Sequence, residues 1–235
     1  MEKGKLFLIP TPLGDTDPSA VIPEGTLEII RQLEVFVVEE LRTARRFLKK
    51  AGYTKPFDEV TFLLLNEHTL IEDFSSLIKP ALEGRNTGLL SEAGMPCIAD
   101  PGSDLAMIAH QSGVRVIPLT GPSSIFLALA ASGFNGQNFS FSGYLPVERE
   151  KRNKRLKELE RMASEKDQTQ IFIETPYRNG QMFQSLTEVC RDETLLCLAA
   201  DLTAPGEWVS VKTIREWRKE KPDLNKRPCV FLLYK

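Results

Sequence analysis

Glu92 and Asp100 are the residues best placed to do chemistry, because both lie in Gly88-Leu-Leu-Ser-Glu-Ala-Gly-Met-Pro-Cys-Ile-Ala-Asp-Pro-Gly102, where an apolar run stops in a loop built from glycine and proline. Gly94 and Gly102 permit backbone geometries barred to residues with a Cβ, and Pro96 and Pro101 stiffen the chain between the acids. Carboxylates in such a loop suit the wall of a ligand pocket, since ligands of open α/β sheets bind beyond the carboxyl ends of the strands. The plainer alternative is a strand-to-helix turn in which Ser103 caps the next helix. Two more turn-rich segments, Pro10-Thr-Pro-Leu-Gly-Asp15 and Thr120-Gly-Pro-Ser-Ser124, also follow apolar runs. If the three preceding strands are parallel neighbours, the loops converge on one edge.

Other polar residues carry weaker signals. His68 ends Leu65-Asn-Glu-His68 after an apolar run, so it faces the same edge or stabilises its loop, whereas His110 sits in a helical pattern. A mutual ion pair is the simplest account of Glu39, Glu40 and Arg42. There is no G-x-G-x-x-G, G-x-x-x-x-G-K-[ST], G-x-S-x-G or H-E-x-x-H, so nicotinamide, flavin or triphosphate binding and the common hydrolase sites are not indicated. Cys97, Cys190, Cys197 and Cys229 lack zinc-like spacing and lie in or near apolar runs, which predicts buried, reduced thiols and no metal.

The elements that must position these residues alternate as in an α/β protein. Strands are expected at Leu6–Pro10, Val35–Glu39, Thr61–Leu65, Asn86–Ser91 and Val114–Leu119, with helices after Pro23 (Leu27, Ile30, Leu33) and over Thr43–Lys50, Thr69–Leu82 and Ser103–Gln111. Gly121-Pro122-Ser123-Ser124 breaks the rhythm and opens an Ala/Leu-rich helix, Ile125–Ala131, with serines to cap it. A junction here divides the chain into residues 1–120 and 121–235. The second half is expected to hold strands at Phe139–Pro146, Thr169–Glu174, Leu195–Asp201, Glu207–Val211 and Pro228–Tyr234. Its helices are Val147–Ala163, Gly180–Cys190 and Thr213–Lys219. Six cations between Arg149 and Lys157 are offset by Glu148, Glu150, Glu158 and Glu160, which predicts a solvated face rather than a nucleic-acid patch.

Composition bounds the class. With 235 residues and a formal net charge of −2, the chain can bury a sizeable core and presents no overall field that would attract nucleic acid. No window approaches the roughly 18 apolar residues of a membrane span, and the short run Leu6–Ile9 is no signal peptide, which predicts a cytoplasmic protein without membrane contact.

Taken in order, the motifs resemble those of the tetrapyrrole methylase superfamily and, within it, the 16S rRNA cytidine 2′-O-methyltransferase family. Ile9-Pro-Thr-Pro-Leu-Gly-Asp15 is similar to V-P-T-P-I-G-N, Glu39-Glu-Leu-Arg-Thr43 to E-D-T-R, and Leu90-Ser-Glu-Ala-Gly-Met-Pro…Asp100-Pro-Gly102 to L-V-S-D-A-G-T-P…D-P-G. Pro118-Leu-Thr-Gly-Pro-Ser123 is similar to P-L-P-G-P-S/C, Gly143-Tyr-Leu-Pro146 to G-F-L-P, and Phe172-Ile-Glu-Thr-Pro-Tyr-Arg178 to F-Y-E-S-P-H-R. The resemblance implies two α/β domains of the class III methyltransferase type, with S-adenosylmethionine in the cleft between them and a homodimeric assembly. It makes Leu13, Glu92, Met95, Ser123, Ser124, Ile173, Leu202 and Pro228 cofactor-binding candidates. Glu92, Glu174 and Arg178 become catalytic candidates, and Arg42 and His68 orient RNA. The activity implied is 2′-O-methylation of a ribose in ribosomal RNA.

The chain departs from the family pattern at Glu92 and Met95, where the family has aspartate and threonine. At Ala199-Ala-Asp-Leu-Thr-Ala204, similar to A-R-E-L-T-K, it lacks two cations, and Lys226-Arg-Pro228 stands in place of K-G-E. Alternative expectations are methylation of a small tetrapyrrole-like metabolite, or a catalytically silent cofactor-binding relative.

Overall fold

The computed structural model describes residues 2–66, 69 and 74–235. The chain divides into two compact units, Met1–Ser123 and Ser124–Lys235. The first unit runs β1 (Lys5–Ile9), α1 (Pro18–Val21), α2 (Glu24–Gln32), β2 (Val35–Val38), α3 (Leu41–Lys50), β3 (Thr61–Leu64), α4 (Phe74–Leu82), β4 (Thr87–Leu90), α5 (Gly102–Gln111) and β5 (Arg115–Pro118). Its five strands form one parallel sheet in the order β3-β2-β4-β1-β5. A parallel sheet is covered on both faces, so its central strands read as unbroken apolar runs, as Val-Phe-Val-Val of β2 does. One face packs Leu27 and Ile30 of α2 and Phe47 and Leu48 of α3 on Ile9 and Phe36. The other packs Leu77 and Ile78 of α4 and Leu105 and Ala109 of α5 on Leu6, Val37 and Leu89. The short α1 had no periodic signal. It is started by Asp17, whose carboxylate accepts from Ser19 N at 2.8 Å, and by Pro18 in its first turn.

The second unit runs α6 (Ser124–Ser132), β6 (Phe139–Tyr144), α7 (Arg149–Glu165), β7 (Thr169–Ile173), α8 (Asn179–Val189), β8 (Leu195–Ala200), β9 (Trp208–Thr213), α9 (Ile214–Trp217) and β10 (Cys229–Tyr234). The sheet order is β6-β7-β10-β8-β9, with β6 and β7 parallel and the remaining pairs antiparallel. Its core stacks Phe172 on Phe231 at a centroid distance of 5.7 Å and buries Trp217, whose indole N–H donates to Leu196 O at 2.9 Å. Satisfying that polar atom is what lets a tryptophan be fully enclosed. The expected helix start at Thr213 moves one residue on. Thr213 closes a reciprocal cap with Glu216, so it ends β9 and serves as the N-cap of α9.

The charged α7 differs from the expectation of a purely solvated face. Leu156 and Leu159 are buried as its pattern indicates, but Arg152 and Glu160 are buried with them. Arg152 donates to Ser185 Oγ at 3.0 Å and Val147 O at 2.7 Å, while Glu160 Oε1 accepts from Arg191 N at 2.7 Å and Thr194 Oγ1 at 2.6 Å. Buried ions persist only with such partners, and three of the four lie more than 30 residues away in sequence. All four cysteines are free, Cys97 half-buried and the others buried; burial pushes the Cys97, Cys190 and Cys197 thiols up to about 12.

Candidate functional site

The carboxyl ends of the parallel strands in the first unit share one edge, and the chain there is tied together by its own backbone. Thr11, just after β1, and Gly94, beyond β4, exchange hydrogen bonds of 2.9 and 3.0 Å. Thr11 Oγ1 donates to Ser91 O at 3.2 Å and Ser91 Oγ to Gly94 O at 2.9 Å. Gly94 has φ +76°, and a Cβ there would sit 2.9 Å from Leu13 Cδ2, so only glycine admits this close approach. The third loop joins them at Gly121, where a Cβ would overlap the ring of Pro10. The three loops singled out in the sequence are therefore neighbours within this unit.

Beyond Gly94 the β4 loop is held in a conformation that costs energy. Cys97 and Ala99 have φ of 69° and 61°, and the Asp100 carboxylate accepts from Cys97 N at 2.9 Å and Gly102 N at 2.8 Å. Positive φ outside glycine and asparagine is a strain that persists only when surroundings enforce it. Asp100 thus takes the role foreseen for Ser103: α5 begins at Gly102 with Pro101 as N-cap and no side-chain cap of its own. Burial raises the Asp100 pKa above the ordinary carboxylate value, outweighing those two N–H donors.

Glu92 is exposed at the same edge. Thr43 Oγ1 donates to its Oε1 at 2.7 Å, and its backbone N–H donates to Glu39 Oε1 at 3.3 Å. Glu39 is half-buried, and its pKa is raised by burial first, then by the negative charges of Asp100 and Glu92. Both line a cleft of about 550 Å³ with Thr11, Gly14, Arg46 and Lys50, within the range of small-ligand sites. The ion pair expected among Glu39, Glu40 and Arg42 is not formed. Glu40 is instead the N-cap of α3, accepting from Thr43 N at 2.7 Å, because a free helix N–H is nearer to it than any guanidinium nitrogen. Arg42 projects from the first turn of α3 into solvent. Leu13, Met95 and Ser123 are half-buried on the three loops, while His68 lies outside the described residues.

In the second unit, Glu174, Leu202 and Pro228 mark the corresponding edge, formed by the carboxyl ends of β7 and β8 and the start of β10. Glu174 has a side chain only 1 % exposed, and its Oε1 accepts from Thr175 N at 2.7 Å and from Arg178 Nε and Nη2 at 3.0 and 2.7 Å. Glu174 in turn raises the Arg178 pKa. Ile173 is half-buried, Leu202 buried and Pro228 exposed, and Ser124 begins α6.

Sequence reasoning missed the residues that hold this edge. Arg227 donates from Nε to Asp201 Oδ2 at 2.5 Å, from Nη2 to Gly206 O at 2.6 Å and from Nη1 to Asp223 O at 3.1 Å. Asn179 Nδ2 donates to Arg227 O at 2.7 Å. Around this clamp, Asp201, Thr203 and Lys226 have φ of 50°, 66° and 59°. Asp201 and Arg227 meet because Ala200 of β8 stands opposite Cys229 of β10 in the antiparallel register, which no spacing of residues announces.

The edge of the first unit presents the Glu39 and Glu92 carboxylates, which suit a cationic group, and the edge of the second presents the apolar side chains of Ile173 and Leu202. Among the described residues no group of three or more His, Cys, Asp or Glu side chains could hold a metal ion, and no helix is long and apolar enough to cross a membrane.

Comparison with known proteins agrees with this architecture. Residues 5–217 match the family model of tetrapyrrole (corrin/porphyrin) methylases. Over 98 % of its length the chain is 30 % identical to the ribosomal RNA small subunit methyltransferase I of Haemophilus influenzae, covering 78 % of that protein, and 28 % identical to the protein of the same name from Escherichia coli O157:H7, again covering 78 %. Among solved structures, the methyltransferase CobJ superposes with a TM-score of 0.66 at 19 % identity, covering 99 % of this chain and 94 % of CobJ. The cobalt precorrin-4 methyltransferase CbiF superposes at 0.62 and 15 %, covering 98 % and 94 %. The chain belongs to the tetrapyrrole methylase family.

Proposed function

We propose that this protein is an S-adenosylmethionine-dependent methyltransferase that modifies ribosomal RNA of the small subunit, with a ribose 2′ oxygen as acceptor. The observation that carries this reading is the 30 % identity, sustained over 98 % of the chain, to a relative named for ribosomal RNA methylation. The structural neighbours, one of them named for cobalt precorrin-4 methylation, share the fold at 15–19 % identity and do not favour a tetrapyrrole acceptor over RNA. Four free thiols suit a reducing cytoplasm, and we take the working assembly to be a homodimer.

S-Adenosylmethionine supplies a methyl group carried on a sulfonium sulfur. The chain must hold donor and acceptor in line and take up the hydroxyl proton as the oxygen–methyl bond forms and the sulfur–methyl bond breaks. Leu13, Glu92 and Met95 are assigned to the methionine side and Ser123 and Ser124 beside it, with Ile173, Leu202 and Pro228 assigned to the adenine side. Glu92, its neighbour Glu39 and Glu174 are the carboxylates assigned to accept the proton; Glu174 Oε1 is already engaged by Arg178 and Thr175. Glu174 holds Arg178 through Nε and Nη2, and Arg42 and His68 are assigned the role of orienting the RNA.

Calorimetry with S-adenosylmethionine and transfer of a labelled methyl group to small ribosomal subunits test the reading. The wild-type protein should do both, and Glu92→Ala should lower transfer by at least about a hundredfold, the lower end of what one general base contributes. Cofactor binding without transfer to any ribosomal RNA would overturn the acceptor, and unchanged transfer by Glu92→Ala would overturn its role.

A further inference from the structure

Helix α3 carries five cations, Arg42, Arg45, Arg46, Lys49 and Lys50, and no acid in its ten residues. Two of the five are engaged by the protein. The Arg45 guanidinium lies over Phe57 and Phe62 at 5.8 and 5.4 Å, and Lys50 pairs with Asp15 at 2.7 Å. The other three are exposed and make no hydrogen bond or ion pair among the described residues. They are spaced four and three residues apart, so they share one helix face over a rise of about 10 Å. Like charges stacked at that spacing destabilise a helix, and among the described residues no acid lies in ion-pair contact with any of the three. The row is also directed: Arg46 lines the same cleft as Glu39 and Glu92.

We propose that the Arg42–Arg46–Lys49 face of α3 is the binding track for the sugar–phosphate backbone of the RNA, leading the acceptor ribose into the cleft floored by Glu39 and Glu92. This rests on the RNA methyltransferase reading above. A row of unpaired cations beside carboxylates matches a chain whose phosphates and ribose hydroxyls alternate: guanidinium and ammonium groups take the phosphates, and the carboxylates meet a hydroxyl. Helix α7, also rich in cations, provides the contrast. Its Arg149, Lys151, Arg155 and Arg161 pair with Glu188, Glu148, Glu158 and Glu165, and Arg152 is buried. The track also accounts for RNA binding by a chain of net charge −2, because the positive field is local.

The test uses the full-length protein, with small-subunit ribosomal RNA as the probe for binding across a salt series and small ribosomal subunits as the substrate for methyl transfer. In R42Q/R46Q/K49Q the slope of log affinity against log salt should become shallower by about 2, at roughly 0.7 per phosphate contact on a single strand. KM for RNA should rise at least about tenfold, while S-adenosylmethionine affinity stays at the wild-type value. The single variant R46Q should lose about a third of the effect, which keeps the test decisive if the triple variant folds poorly. K154Q/K157Q on α7 should leave slope and KM unchanged. If the wild type methylates subunits while the α3 variants retain its slope and KM, this proposal falls and the RNA reading stands. If the wild type binds the cofactor but neither binds nor methylates ribosomal RNA, the functional reading itself has failed and takes the track with it.

Discussion

Replacing Arg227 by methionine should loosen the edge of the second unit proposed above to hold the donor, without emptying its core. Methionine keeps the apolar stem and removes the three N–H donors that reach Asp201, Gly206 and Asp223. A hydrogen bond to a charged partner contributes about 1.5–3 kcal/mol when buried, and one to a carbonyl about 1 kcal/mol. Arg227 and Asp201 are 26 % and 19 % exposed, so water recovers part of each contact, and a net loss of about 2 kcal/mol is expected. For a chain of this size that corresponds to a fall in Tm of roughly 5 °C. The larger effect should be on the cofactor. Asp201, Thr203 and Lys226 sit at positive φ, a conformation costing on the order of 1 kcal/mol per residue, and the clamp is what opposes its relaxation. If the bound geometry loses about 2 kcal/mol relative to relaxed loops, its population falls and the apparent Kd for S-adenosylmethionine rises about ten- to thirtyfold. The kcat at saturating donor should change by less than about twofold, since Arg227 positions loops rather than reacting groups. Calorimetric titration, thermal denaturation and a double-mutant cycle with D201N measure these quantities, with a coupling of about 1 kcal/mol expected for the Arg227–Asp201 pair. R227K should restore part of the donor affinity by keeping the contact to Asp201. A Tm within about 1 °C of wild type and a Kd within about twofold would refute the reasoning, because clamp and strained loops would then be independent.

Glu39 provides a pH test. Burial and the charges of Asp100 and Glu92 raise its pKa above the ordinary 4.5, so the acidic limb of kcat/KM should lie above 4.5, activity disappearing as pH falls through the raised value. The same shift means that the folded state holds this proton more tightly than the unfolded chain, so its contribution to stability is lost as pH rises from 4.5 through the raised value. Glu39→Gln should abolish both dependences and lower kcat. Gly121→Ala should push the third loop away from Pro10, costing about 1–3 kcal/mol by overpacking and weakening donor binding, as read by thermal shift and calorimetry.

The alternation of strands and helices was legible in the chain because burial on both faces of a parallel sheet writes itself as apolar runs, Val35–Val38 and Thr87–Leu90 among them. The three Gly/Pro loops were equally legible, since a turn without a Cβ admits few other residues, as Gly94 and Gly121 show. Local pattern did not say who pairs with whom. Glu40 could answer either Arg42 or the open end of α3, and only the built helix makes Thr43 N its partner. Arg152 and Glu160 read as members of a solvated face until α8 and the turn before β8 supply Ser185, Arg191 and Thr194.

By itself, then, the order of residues determined the elements, the loops at the strand ends and the family motifs. Each of these follows from side-chain volume, burial period and backbone freedom within a few residues. Only the tertiary structure decided that Asp201 meets Arg227 across 26 residues, that Glu92 meets Thr43 across 49, and that Arg42, Arg46 and Lys49 have no ion pair among the described residues while Arg149, Lys151, Arg155 and Arg161 of α7 find acids. Those outcomes depend on strand order and register, which bring distant segments together and carry no signature in the spacing of the residues they join.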